Sequence, residues 1–408
     1  MQSGTFAFGP FRLEVAERRL LRDGETVPLR PKVFDTLVAL VNRSGSLVEK
    51  DDLMLELWPD SVVEEGNLAT TISTLRRALG DSRVDIRYIA TVPKRGYRFV
   101  AEVRSLDGPA AAPVRAFALP APPPRQEIRF TTTADRVRIA YAVAGEGPPL
   151  VKTANWLNHL EFDWRSPVWV HLMRELSRDH TLIRYDERGN GLSDWDVEDL
   201  SFEAFVRDLD SVVEAAGLER FALLGISQGC AVSIAYAIRH PERVTRMVLH
   251  GGYAKGWRLR TDREEEIGWR EGLVEMIRTG WGRDVDTFRR IFASIYIPGG
   301  TPEQQRWWTE LQRVSTSPEN AVRLLKTLST IDIWKLLPEV QVPTLVTHCR
   351  GDVGVPFDAG RALAARIPGA RFLPLASDNH LVLEQEPAWP VWLSAVRSFL
   401  AEDADSGR

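Results

Sequence analysis

Cysteine is scarce: the 408 residues hold two, Cys230 and Cys349, far apart in the chain. That excludes a disulfide-stapled secreted scaffold, and both thiols read as core residues in a reducing compartment. Long apolar runs are missing too. No stretch approaches the roughly 18–20 residues of a membrane-spanning helix. The opening residues, Met1 to Phe6, carry no basic segment leading into an apolar run, so no secretory leader is expected. A net charge of −4 gives no global pull toward nucleic acid or membrane. No internal repeat is visible, and no cofactor or metal is expected. These absences describe a cytoplasmic protein with no membrane partner. At this length two or three domains are expected, with ample chain for a large core.

What is present centres on Phe221 to Gly229. Four apolar residues run into Gly225-x-Ser227-x-Gly229, and a small-residue helix follows from Cys230. A buried strand, a tight turn and a helix would hold Ser227 at the turn's apex in a strained backbone conformation. Residues two before and two after must then be nearly free of side chain, and both are glycine. The helix N-terminus beyond supplies unpaired N–H groups where an oxyanion can form. The pattern resembles the nucleophile elbow of α/β-hydrolases.

Residues 1–103 have a different rhythm. Phe6 to Leu29 alternates around Asp23-Gly24, as short antiparallel strands do. Helices are expected over 31–42, 49–57 and 67–79. The third carries Leu68, Ile72, Leu75 and Leu79 on one face and Thr70, Thr71, Ser73, Thr74, Arg76 and Arg77 on the other. Strands at 86–92 and 97–103 flank a basic tip, Pro93-Lys94-Arg95-Gly96. Two helices, a polar arginine-bearing third and a hairpin wing form a winged helix-turn-helix, suited to double-stranded DNA. Small hydroxyl side chains let the helix sit deep in the major groove, and arginines reach bases or phosphates. Over 1–103 acidic and basic residues balance at 15 each, but 76–98 holds seven basic against two acidic residues. The candidate DNA contacts are Thr70, Thr71, Thr74, Arg76, Arg77, Lys94 and Arg95. The segments Leu75 to Asp81 and Thr91 to Phe99 resemble the OmpR/PhoB-type domain of bacterial transcriptional regulators. In that family the third helix reads the major groove. The receiver domain that often precedes it is missing from this sequence, so phosphorelay control is not expected.

A spacer is expected over 104–126, with six prolines and six alanines between Ser105 and Gln126. From 127 to 401 strands and helices alternate, which implies a mostly parallel sheet with helices on both faces. Residues 402–408 form a tail. The chain order of an α/β-hydrolase is nucleophile, acid, histidine. After Ser227, one strand end offers Asp352 and the next offers His380. The assignment is Ser227 as nucleophile, His380 as general base then acid, and Asp352 orienting the imidazole, with Asp358 and Asp378 as rival acids. The oxyanion donors expected are the N–H groups of Gln228 and Trp156. Many relatives carry His-Gly at the bend before Trp156, and this chain does not. The Asp186-x-Arg188-Gly-x-Gly-x-Ser193 loop and the run from Arg239 to Val244 add to the α/β-hydrolase resemblance.

A helical cap is expected at about 253–340. It holds Trp257, Trp269, Trp281, Trp307, Trp308 and Trp334, most of them for packing cap helices together. Its 14 basic and 13 acidic residues give no sign of an anionic substrate. The reading is a DNA-binding regulator whose hydrolase half acts on or senses a small apolar ester, lactone or acyl compound. Two alternatives stay open: an enzyme first with the winged helix as accessory, and a sensor that does not hydrolyse. A homodimer is a further candidate assembly.

Overall fold

The structure, a computed structural model, describes residues 5–45, 47–57, 65–81, 87–92, 95–101, 103–105, 125–281 and 286–402. The chain divides into two compact units, 1–118 and 119–408.

The first unit opens with β1 (Thr5–Phe8), β2 (Phe11–Glu14), β3 (Arg19–Arg22) and β4 (Glu25–Val27), an antiparallel meander. Asp23 and Gly24 make the two-residue turn between β3 and β4 with φ of 51° and 90°. Positive φ at both positions matches the strands' twist and explains the Asp-Gly pair. Helix α1 (Pro31–Val41) starts on a proline, whose missing N–H costs nothing there. Next come β5 (Leu47–Glu49), α2 (Lys50–Leu57), α3 (Glu65–Leu79), β6 (Ile89–Val92), β7 (Gly96–Phe99) and β8 (Arg104–Ser105). Leu68, Ile72, Leu75 and Leu79 of α3 are all buried, as their spacing requires. The Asp81 carboxylate accepts N–H groups of Arg87, Tyr88 and Ile89, which ties the end of α3 to the wing strands. Strand β5 pairs with β7, so the wing is three-stranded. Strand β8 lies in the stretch read as spacer and pairs with β1.

The second unit is built on eight strands: β9 (Glu127–Thr132), β10 (Arg138–Ala144), β11 (Pro149–Lys152), β12 (Thr181–Tyr185), β13 (Phe221–Ile226), β14 (Val244–His250), β15 (Thr344–Cys349) and β16 (Arg371–Leu375). Their order is β16-β15-β14-β13-β11-β12-β10-β9, and all neighbours are parallel except the pairs that β10 makes. Every residue of β13 and β15 is buried, so both sheet faces are covered. The helices around the sheet are α4 (Leu160–Asp163), α5 (Val170–Leu176), α6 (Phe202–Ala215) and α7 (Gly229–Arg239). Between β14 and β15 lie α8 (Trp257–Arg260), α9 (Glu264–Gly280), α10 (Asp286–Tyr296), α11 (Pro302–Ser315) and α12 (Pro318–Ser329), where a cap was expected. Helices α13 (Phe357–Arg366) and α14 (Ala388–Ala401) complete the unit.

The glycine loop after β12 is a brace. Arg188 is fully buried and pairs with Asp208 and Asp135, each at 2.7 Å. Asp186 accepts the N–H groups of Leu160 and Leu192 at 3.1 and 2.8 Å. A Cβ at Gly191 would fall 2.2 Å from that carboxylate. Among the described residues no helix is long and apolar enough to cross a membrane.

Candidate functional site

Ser227 stands where β13 ends. Its φ of 56° lies in the left-handed region, which a serine adopts only under constraint. The constraint is the close packing of α7 on β13 and β11. A Cβ on Gly225 would come within 2.7 Å of Cys230 Cα, and one on Gly229 within 2.7 Å of Ala154 O. The Ser227 N–H donates to His250 O at 2.9 Å, which anchors the turn to β14.

Loops after β15 and β16 bring Asp352 and His380 together. His380 Nδ1 lies 2.6 Å from Asp352 Oδ2, and both side chains are buried. Asp352 Oδ1 accepts the Val355 N–H at 2.9 Å, and His348 Nε2 lies 3.4 Å from Oδ2. Burial alone would raise the Asp352 pKa. The charge on His380, with hydrogen bonds from His348, His380 and Val355, outweighs it and holds the carboxyl well below the usual range. The rival acids Asp358 and Asp378 are exposed, and Asp358 pairs with Arg361 at 3.1 Å. His380 Nε2, the nitrogen turned from Asp352, is buried and makes no hydrogen bond among the described residues, Ser227 included. The Tyr296 ring lies 5.5 Å from the imidazole, and Tyr296 O accepts the His380 N–H at 2.8 Å. His250 bridges Thr347 Oγ1 at 2.8 Å and His380 O at 3.1 Å. Burial, then the charges of His380 and His348, lower its pKa to about 3, so it stays neutral.

The two expected oxyanion donors differ. The Gln228 N–H meets no acceptor among the described residues. The Trp156 N–H instead donates to the side-chain Oε1 of Gln228 at 2.9 Å. Gln228 is 1% exposed, and a buried amide oxygen needs a donor. The Trp156 donor is therefore engaged, and a move of the Gln228 amide is needed to open it.

Ser227 borders a small cavity of about 40 Å³, walled by Trp156, Tyr253, Trp257, Tyr296, Arg260 and Arg270. A larger cavity of about 410 Å³ is lined by Lys255, Leu259, Arg260, Glu266, Trp334 and Asp358. The larger one does not reach Ser227, so the candidate site is the smaller; Arg260 lines both. Of the six cap tryptophans, Trp257 lines the Ser227 cavity. Trp281 and Trp308 are buried, Trp307 packs on Phe162, Trp269 is exposed, and Trp334 faces the larger cavity.

On α3 of the first unit, Thr70, Thr74 and Arg77 are exposed and Thr71 is half-buried. Thr74 Oγ1 donates to Thr70 O at 2.9 Å. Arg76 is placed differently from the expectation of a base or phosphate contact. Its guanidinium donates to Ile89 O at 2.8 and 3.1 Å and to Thr91 Oγ1 at 2.6 Å, bracing α3 against the wing. Arg95 is exposed and pairs with Glu49 at 3.1 Å. Lys94 lies outside the described residues.

Residues 162–387 match the family described as alpha/beta hydrolase fold. The chain belongs to the alpha/beta hydrolase fold family. Residues 24–99 match a second family, the C-terminal domain of transcriptional regulatory proteins. The hydrolase half is similar to AB hydrolase superfamily protein YisY of Bacillus subtilis, 26% identical over 265 residues, covering 63% of this chain and 94% of that protein. The N-terminal domain is similar to transcriptional activator CadC of Escherichia coli, 34% identical over 104 residues, covering 25% of this chain and 20% of CadC. An esterase from Exiguobacterium antarcticum superposes with a TM-score of 0.57 at 23% identity, covering 67% of this chain and 99% of that one, a likeness of fold. An OmpR/PhoB-type regulator domain and an alpha/beta hydrolase domain thus share one chain.

Four features of the hydrolase domain were not read from the sequence: the Gln228 bond to Trp156, His348 beside Asp352, Tyr296 against His380, and the arginines at the Ser227 cavity. Three of them join residues distant in sequence, so no local pattern marks them; His348 stands four positions before Asp352, but its spacing alone does not say that its ring turns toward the carboxylate. The cap's position opposite the elbow was the one available signal for Tyr296 and the arginines.

Proposed function

We propose that this chain is a DNA-binding regulator whose hydrolase domain works as a serine hydrolase on a small ester, thioester or lactone. Binding or turnover there changes DNA occupancy. Ser227 Oγ attacks the acyl carbonyl and gives its proton to His380 Nε2, which passes it to the leaving group. Water, deprotonated by His380, then releases the acid and restores Ser227. Asp352 holds the His380 Nδ1–H and stabilises the imidazolium. The Gln228 N–H meets the oxyanion, and the Trp156 N–H joins once the Gln228 amide withdraws. The observation that carries this reading is the 2.6 Å bond from His380 to Asp352 in a domain whose serine sits at φ 56° on the elbow. Hydrolysis of p-nitrophenyl butyrate by wild type and by Ser227→Ala tests it. Turnover confined to wild type is expected; equal turnover would sink the serine assignment. Band shifts of operator DNA with and without the ester test the regulatory half.

A second reading is a ligand sensor without hydrolysis. It is favoured by the His380 Nε2 that makes no bond to Ser227 and by the Trp156 N–H already engaged. Under it, ligands bind and shift DNA occupancy with no acid released.

A further inference from the structure

The cap's charges balance by count, yet they are not distributed evenly. Arg260, the last residue of α8, and Arg270, in α9, both wall the cavity that holds Ser227. The Arg260 guanidinium lies over the Tyr253 ring at 5.1 Å. It makes no hydrogen bond or ion pair with any described residue, and its Nη1 is shielded from solvent. Arg270 donates its Nη2 to Gly354 O at 3.0 Å and to Val353 O at 3.4 Å, and its Nε is buried with no partner among the described residues. Neither arginine forms an ion pair among the described residues. Glu266 and Asp358 line the neighbouring cavity and bond to neither.

Both side chains are half-buried, and a shielded guanidinium nitrogen such as Arg260 Nη1 or Arg270 Nε is costly where its lost hydration is not replaced. Arg188 in the same domain shows the usual remedy, two aspartates at 2.7 Å. For Arg260, burial disfavours the cation most and the like charge of Arg270 adds to it, while Tyr253, Glu266 and Asp352 favour it without cancelling the burial. Two converging cations with open donors fit a carboxylate, which a guanidinium binds through paired N–H groups. Trp156, Tyr253, Trp257 and Tyr296 complete the wall with flat apolar faces.

We propose that Arg260 and Arg270 form an anion-binding subsite beside Ser227, so that the compound this domain takes is an acyl compound bearing a carboxylate. The inference rests on the reading of Ser227 as the reacting group. It replaces the apolar, uncharged ligand expected from the cap's charge count. Arg260 lines both cavities, so the carboxylate stands at their junction.

The test compares 3-phenylpropanoate with its neutral amide, 3-phenylpropanamide, by tryptophan-fluorescence titration of the full chain. Wild type is expected to bind the acid about ten-fold or more tighter than the amide. Arg260→Gln and Arg270→Gln are each expected to shrink that gap, with acid binding weakened more than amide binding. Equal binding of acid and amide to wild type, or binding of neither, overturns the subsite without recourse to any variant. Labelling of Ser227 by a fluorophosphonate is read separately. Labelling without acid preference removes the subsite and leaves the hydrolase reading standing. Acid preference without labelling keeps the subsite and removes the serine hydrolase.

Discussion

Arg76 in the regulator domain and Arg260 in the hydrolase cap end in opposite circumstances. Arg76 sits in a segment with seven basic residues against two acidic, a charge footprint that reads as a DNA surface. Yet its guanidinium is taken up by Ile89 O and Thr91 Oγ1 inside the domain. Arg260 sits in a stretch with 14 basic against 13 acidic residues, where nothing stands out. Yet its guanidinium lies over the Tyr253 ring with no hydrogen bond or ion pair among the described residues, at a cavity beside Ser227. Counting charges along a sequence measures supply. Whether a charge is free depends on what tertiary packing sets against it.

That contrast can be broken at several points. The largest effect is expected at the serine: Ser227→Ala removes hydrolysis altogether while circular dichroism and DNA binding stay as in wild type. Asp352→Asn comes next. It keeps the His380 contact but supports the wrong tautomer, and kcat is expected to fall by about 10³–10⁴-fold. The arginines of α3 then separate structure from recognition. Arg76→Ala is expected to lower the regulator domain's unfolding free energy by about 1–3 kcal/mol, through the lost wing hydrogen bonds. The exposed Arg77 is the better candidate for phosphate contact. Arg77→Ala is expected to leave stability unchanged and to reduce the salt slope of DNA binding by about one. The reverse pattern, with Arg76 controlling the salt slope, would refute the distinction.

A smaller effect sets two buried carboxyls against each other. Asp352 is held low by its histidines, whereas for Glu187, 1% exposed, the pull of Gln228 and Arg188 does not offset its burial. Burial, then the negative charge of Asp208, raises the Glu187 pKa to about 8. A raised folded pKa means that the stabilising contribution is full below the ordinary glutamate value and is lost as pH rises through about 8. Urea midpoints of wild type are therefore expected to fall over that window, and Glu187→Gln is expected to flatten the fall. An identical slope in both proteins would contradict it. Asp352 works the other way: its contribution is present above the ordinary aspartate value and is lost only in strong acid.

Much of the fold was legible because the hydrolase strands are continuous apolar runs bounded by turns. Thr181–Tyr185, Val244–His250 and Arg371–Leu375 have the limits that their sequence suggests. The elbow was legible for a steric reason, since Gly225 and Gly229 stand where a Cβ would strike Cys230 and Ala154. Strand β5 was not: three residues between two helices carry no period, and their partner β7 lies nearly 50 residues away in sequence. The choice of Asp352 over Asp358 and Asp378 followed from position: Asp352 leaves a strand end, whereas Asp358 stands at a helix start and Asp378 beside the histidine itself. The bond from Trp156 to Gln228 spans 72 positions and depends on a single rotamer, which composition and spacing do not encode.

The most direct test of the account is intact mass after incubation with a fluorophosphonate, with Ser227→Ala as control. An activated serine displaces fluoride at phosphorus and keeps the phosphonyl group. The account predicts a single adduct on wild type, mapped to Ser227, and none on the variant. Folded wild-type protein that stays unlabelled would contradict it and leave the non-hydrolysing sensor as the function of this domain.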